Sequence, residues 1–297
     1  MRIPYLLDVV RVDQAAVIAS VSEDPRLDRD FSGPGPLFNR LVARRVRRAL
    51  HVDGTPLPAV APRHYPNRAE EQASLEGRLA DQIAVGTPAA EQIDRLAAYV
   101  RGEQDEAALG PTVQEAIGRI FAEDYRGTRD TWRAAQVLDA APRTRNPFRL
   151  LAWAVTGAVR RSRQTLAQAA RSNPAGVHAT GIAVHSLVRS LQAMREVWRE
   201  TASGNVTAEV AVIRSLRAPQ TVLRRWSAPA TTILGEMRPG ALTIFELDAA
   251  RARAPGPHTT FMTESWTRCP AHAWTAALLH AVWTRARASG GAGGATP

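Results

Sequence analysis

Residues 261–283 read FMTESWTRCPAHAWTAALLHAVW, and their reading decides the fold of this chain. The stretch from Cys269 on, CPAHAWTAALLHAVWTRA (269–286), reads as the last ordered helix of the protein. Cys269 stands at its start and is the only cysteine in 297 residues. One cysteine excludes an internal disulfide framework and a multi-cysteine zinc or iron-sulfur site. On its own it would be a small buried hydrophobe.

Composition narrows the classes around it. The chain is 45% hydrophobic and 22% charged, as in a soluble globular protein, and a cytoplasmic setting is expected. Its formal charge is +10, carried by 38 arginines without a single lysine. These arginines are scattered along helices among acids and apolar residues, with no basic tail and no recognition helix, so no nucleic-acid partner is expected. The apolar run in MRIPYLLDVVRVD is cut short by Asp8 and Arg11, which argues against a signal peptide. No stretch of about 18 uncharged apolar residues occurs, so no membrane anchor is expected.

Working outward, YLLDVVRV (5–12) predicts a strand, and DQAAVIASVSEDP a short helix closed by Pro25. NRLVARRVRRAL is a basic helix, and DGTPLPAVAPRHYP a proline-rich connection. From Asn67 onward four amphipathic helices follow in RAEEQASLEGRLADQIAV, AEQIDRLAAYVRGE, TVQEAIGRIFAEDYRG and RDTWRAAQVLDA. RLLAWAVTGAVRRSRQTLAQAARSN reads as one more helix, which Pro174 breaks before GVHATGIAVHSLVRSLQAMREVWRE resumes it. After a Gly204-Asn205 break comes the helix VTAEVAVIRSLR, then the strand-like TVLRRWS, TTILGE and ALTIFELD. The class is mainly α with small β-sheets near both ends. Residues 1–287 are expected to form a single domain and 288–297 a disordered Gly/Ala-rich tail.

This order of elements resembles the cytochrome P-450 superfamily, in four stretches of matching order. Asp24, Pro25 and Arg26 match the family's "DPR" segment after its first strand and helix. His64 and Arg68 in HYPNR reproduce the spacing with which its C helix holds a heme propionate; one helical turn apart, they are expected on one face. LRAPQTVLRRWSAPATTILGEMRPGALTIFELDAA resembles the run from the K helix through the first sheet, with Pro219, an arginine for the other propionate and the RPG at 238–240 in place. Arg225 fits that arginine, although Arg224 and Arg225 must face opposite ways on a strand and sequence alone does not choose between them. The opening stretch resembles the cysteine-ligand loop and L helix. The resemblance implies a reduced-size P-450-like fold holding heme b, with its iron on Cys269. A thiolate at a helix start is favoured by the unpaired backbone N–H groups, and neighbouring Arg268 is expected to lower its pKa.

Departures fall on residues that the family uses for chemistry. In the cysteine loop, Met262, Ser265 and Thr267 stand where the family has Phe, Gly and His or Arg, and Ala271 replaces a glycine. The Glu-x-x-Arg of the K helix keeps Arg214 but has Ala211 for the glutamate. Losing one partner of a buried ion pair costs about 3 to 5 kcal/mol, so either another acid compensates or this core is built differently. The oxygen-activating stretch of the long helix becomes AGVHAT: Gly176 is kept, His178 takes the acid place, Ala179 the threonine place, and Thr180 comes next.

These four are the candidate catalytic residues, and a histidine can serve as general acid and base toward a peroxide. The resemblance therefore implies a heme-thiolate oxidoreductase, of monooxygenase or peroxygenase type, acting on a small organic molecule of secondary-metabolite or lipid-like character. The oxidant is oxygen with electrons from an acidic redox protein such as a ferredoxin, or peroxide; a heme-catalysed rearrangement is a further version. The alternative is a degenerate scaffold or non-oxidative enzyme without oxygen activation.

Overall fold

In this computed structural model the described residues are 2–3, 5–52, 54–85, 89–144, 146–201 and 205–290. Gly204 of the Gly204-Asn205 break and residues 291–297 of the tail lie outside them. The chain opens with strands β1 (Arg2–Ile3) and β2 (Leu7–Val12), helix α1 (Ala15–Ser22) and strand β3 (Leu27–Asp28). Basic helix α2 (Leu37–Ala49) follows. The proline-rich connection is more structured than its composition predicts. It folds back as β4 (His51–Val52) and β5 (Thr55–Pro56), and it buries Leu57 and Val60.

The helical middle comprises α3 (Arg68–Ala84), α4 (Ala90–Arg101), α5 (Glu106–Gly118), α6 (Arg129–Ala140), α7 (Pro147–Thr156) and α8 (Ala158–Ala169). The single helix expected over 149–173 is thus two. Gly157 sits at φ +63 between them, a conformation that interrupts an α-helix and that glycine adopts without steric cost. The long helical run is α9 (Pro174–His178), a π-helical stretch (Ala179–Ala183) and α10 (Val184–Glu200). The last part holds α11 (Ala208–Ser215), β6 (Val222–Trp226), β7 (Ala230–Thr232), β8 (Gly235–Met237), β9 (Leu242–Phe245), α12 (Leu247–Arg253), α13 (Pro257–Phe261) and α14 (His272–Gly290).

The strands near the two ends meet in one sheet of order β1-β2-β9-β6-β3. β2 runs parallel to β9, with Val9 opposite Leu242 and Val12 opposite Phe245, while β6 pairs antiparallel to β9. Three apolar clusters hold the helices and this sheet. One lies among α4, α5, α10, α11 and α14, where Trp198 and Trp283 meet edge-on at 5.4 Å. A second joins α2, α6, α8 and α9; the third lies under the sheet against α1 and α12.

The altered K-helix motif has a structural answer. Ala211 is fully buried in the first cluster, and Arg214 points outward to Glu200 at 2.5 Å, with both side chains largely exposed. Apolar packing occupies the place where a buried ion pair was missing, so this core is built differently.

The π-helical stretch has an equally local cause. A π turn leaves a backbone carbonyl without its usual i+4 donor. Gln114 from α5 reaches in and donates to the Thr180 carbonyl at 2.9 Å and to the Thr131 carbonyl at 3.1 Å. Its own oxygen accepts from the Thr131 hydroxyl at 2.7 Å. Thr131 also closes the capping box of α6 with Thr128, so the helix start and the π turn are tied through one buried amide.

Candidate functional site

A cavity of about 1700 Å³ lies between the sheet, α2, α3, the π-helical stretch, α10 and the loop before α14. Ligand pockets of about 300–1,000 Å³ hold a drug-sized molecule, so this one has room for two.

The loop 262–271 delivers Cys269 to its wall. Backbone bonds from Ser265 to Met262, Arg268 to Ser265 and Cys269 to Phe261 (2.9, 2.9 and 2.8 Å) fold it, and Met262 takes φ +52 at its first turn. The buried Ser265 and Thr267 hydroxyls meet at 3.0 Å. The loop thus closes on its own hydroxyl pair without the glycine expected at 265. Helix α14 begins at His272, and the Ala271 N–H points at the Cys269 sulfur. Burial pushes the thiol above its ordinary range; that N–H and the charge of Arg29 pull it down, and Glu76 adds to the rise. Arg268, expected to be the helping cation, instead grips Glu76 with two bonds of 2.9 and 3.0 Å, although it too borders the cavity.

The cations that matter are placed by tertiary structure. Arg68, the first residue of α3, lines the cavity. His64 does not. The helix starts only at Arg68, after Asn67 in a left-handed conformation, so the pair shares no helical face; His64 is exposed, with Nδ1 4.0 Å from Asp28. Both Arg224 and Arg225 are buried, but Arg224 lines the cavity while Arg225 turns away and donates to the Pro34 carbonyl at 2.5 Å.

Arg29, which follows β3, is the residue that sequence reasoning missed. It donates to the carbonyls of Pro58 (2.6 Å) and Thr267 (3.0 Å), and its Nε is buried without a partner. Nothing in RLDRD distinguished it from any other arginine. Burial and the charges of Arg224 and Arg68 hold its pKa well below the ordinary value; Asp28 and Cys269 oppose them. Arg224 is pushed down to about 9, mainly by burial. Of the cations on this wall, Arg29, Arg68 and Arg224 therefore share Asp28 as their acid.

From the long helix, His178, Ala179, Ile182, Ala183 and His185 line the cavity. Burial, with the charge of Arg29, pushes His178 down to about 4, and its Nδ1 has no partner. At neutral pH the ring is uncharged. His185 is likewise lowered by burial and lies 4.9 Å from the Trp132 ring. Gly176 and Thr180 are buried in the helix packing and do not border the cavity. A Cβ at Gly176 would stand 3.0 Å from Phe121 Cβ, and the Thr180 hydroxyl donates to the Gly176 carbonyl at 2.8 Å.

Among the described residues no group of three or more His, Cys, Asp or Glu could hold a metal ion unaided. None of their helices is long and apolar enough to cross a membrane. The wall instead brings one thiol and several buried cations onto the same cavity, a set that suits an anionic ligand. Buried cations short of acids are stabilised by any negative charge brought beside them.

No protein-family model and no curated protein matches the chain. Solved structures do. The full-length CYP116B46 from Tepidiphilus thermophilus superposes with a TM-score of 0.56 at 14% identity over 93% of this chain. P450 RauA (CYP1050A1), in complex with a biosynthetic intermediate of aurachin RE, gives 0.59 at 12% over 94%. P450BioI, in complex with an acyl carrier protein ligated to hexadec-9Z-enoic acid, gives 0.60 at 15% over 93%. The chain spans 45% of the first of these and 83% of the other two. At such identities the likeness speaks for the fold, and that fold is the cytochrome P450 fold, here in a shortened and divergent chain.

Proposed function

We propose that this chain is a heme-thiolate oxidoreductase of the cytochrome P450 type, in which Cys269 would hold the iron of heme b and Arg29, Arg68 and Arg224 would meet its carboxylates. The observation that carries this reading is one cavity onto which a thiol at a helix start and three acid-poor cations open together. When bound, a thiolate-ligated heme supplies oxidative chemistry, because the sulfur donates electron density that favours O–O cleavage. The remaining volume, lined by Val42, Leu75, Phe121, Ile182 and Leu223, suits a small apolar organic substrate.

The residues of the long helix favour peroxide as the oxidant. His178 lines the wall as a neutral ring, a polar group that can hydrogen-bond a peroxide held in the cavity. The Thr180 hydroxyl is committed to the Gly176 carbonyl, and Ala179 adds no proton donor to the wall. Should electrons come from a protein instead, an acidic partner suits the formal charge of +10.

The test is an absorption spectrum of the purified protein and of Cys269→Ala, each supplied with hemin. Wild type is expected to show a Soret band whose reduced, carbon monoxide-bound form is red-shifted as thiolate ligation requires, and Cys269→Ala to lose that shift. Identical spectra overturn the ligand assignment, and no Soret band in wild type supports the scaffold alternative. Oxygenation with ferredoxin and NADPH, but none with peroxide, overturns the peroxide version.

A further inference from the structure

Three guanidinium groups converge on the indole of Trp266, three residues before Cys269. The Arg68 Cζ lies 4.4 Å from the ring centroid, Arg63 5.3 Å and Arg29 5.4 Å, all within cation–π range. The backbone of the same loop ties two of them in place. Arg68 donates to the Trp266 carbonyl at 2.9 Å and Arg29 to the Thr267 carbonyl at 3.0 Å. The Trp266 backbone N–H in turn donates to Glu23 Oε1 at 3.1 Å, which pins the loop to the end of α1.

Like charges so close repel, and an acid beside each would be the usual remedy. Here acids are scarce: Asp28 is the carboxylate shared by Arg29, Arg68 and Arg224, and its Oδ1 also accepts the Arg63 backbone N–H at 2.9 Å. An aromatic face offers a different remedy. A carboxylate cancels the charge of a guanidinium and repels an anionic ligand, whereas a neutral ring face steadies the cation and leaves its positive charge in place. Arg29 and Arg68 both line the cavity beside this ring.

We propose that Trp266 is a positioning residue, whose indole holds the charges of Arg29 and Arg68 at the cavity, with Arg63 on the solvent side, without adding an acid that would repel the cofactor carboxylates. This deepens the heme reading above and rests on it.

The experiment measures loss of heme from the hemin-loaded protein to excess apomyoglobin, for wild type, Trp266→Phe and Trp266→Leu. Each is loaded in parallel with hemin and with hemin dimethyl ester, which lacks the negative charges. With hemin, Trp266→Leu is expected to lose heme about tenfold faster than wild type and Trp266→Phe about threefold faster, as a poorer cation–π ring should. With the diester all three are expected to behave alike.

Equal acceleration with both cofactors would mean that Trp266 only packs, and unchanged rates with hemin would mean that it does nothing for the cofactor; either overturns the proposal. If Trp266→Leu does not fold, Trp266→Phe carries the same comparison. A wild type that binds no hemin overturns the heme reading and this inference together. Hemin binding that is indifferent to Trp266 overturns the inference alone.

Discussion

Arg224 and Arg225 are neighbours on one strand and buried alike, yet Arg224 lines the cavity and Arg225 donates to the Pro34 carbonyl at 2.5 Å. Alternation along the strand gives the two guanidinium groups different work. Arg224→Gln is expected to weaken hemin binding, roughly 10-fold or more, with little change in the folding of the hemin-free protein. Arg225→Gln is expected to leave hemin affinity near wild type and to destabilise the fold by about 1–3 kcal/mol, since it breaks a buried charged hydrogen bond. Hemin titration and urea unfolding of both variants separate the roles; the opposite pattern would assign the cofactor contact to Arg225.

His178 makes stability depend on pH. Its pKa falls from 6.5 to about 4 on folding, so the unfolded chain takes up a proton between these values that the folded chain refuses. Stability is therefore full above about pH 6.5 and declines as pH drops toward 4, by on the order of 3 kcal/mol from this group. Urea unfolding at pH 7 and pH 4.5 should show wild type losing more stability than His178→Gln. An equal loss in both would place the titrating group elsewhere.

Gln114 supports the π turn beside the cavity. In Gln114→Leu the Thr180 carbonyl and the Thr131 hydroxyl would each lose a buried partner. The expected cost is about 2–3 kcal/mol, read as a lower urea midpoint at constant slope. A neutral substitution would mean that the stretch can return to ordinary α-helix and satisfy its own carbonyl.

The Arg214 pair with Glu200 lies at the surface, unlike a buried ion pair. Glu200→Gln is thus expected to change stability by less than about 0.5 kcal/mol at moderate salt. A loss of about 3 kcal/mol, the range for breaking a buried pair, would show that α11 relies on this contact for its place in the core.

Local periodicity determined most of the architecture. Helix α6 was expected over 129–140 and forms over those residues, because its apolar spacing and its Thr128 cap both lie within one segment. The strands on either side of the RPG turn were legible for the same reason, and so was Cys269 at the approach to the last helix. The break at Gly157 was not, since a lone glycine inside a helical pattern is often tolerated and only the backbone shows that this one takes positive φ.

The direction of individual side chains was settled by tertiary structure alone. A histidine four residues before Arg68 implies a shared face only if both are helical, and the left-handed turn at Asn67 removes that condition. Thr180 and His178 are two residues apart, yet one bonds inside the helix packing and the other opens to the cavity. Arg29 and Trp266 carry no pattern at all in a single sequence. They become a site because loops 238 residues apart close on each other, as the Arg29 bond to the Thr267 carbonyl records. Sequence by itself determined which elements form and that a lone thiol starts the last helix, since those follow from neighbours along the chain. Which cations meet that thiol depends on how distant elements pack, and only the tertiary structure decided it.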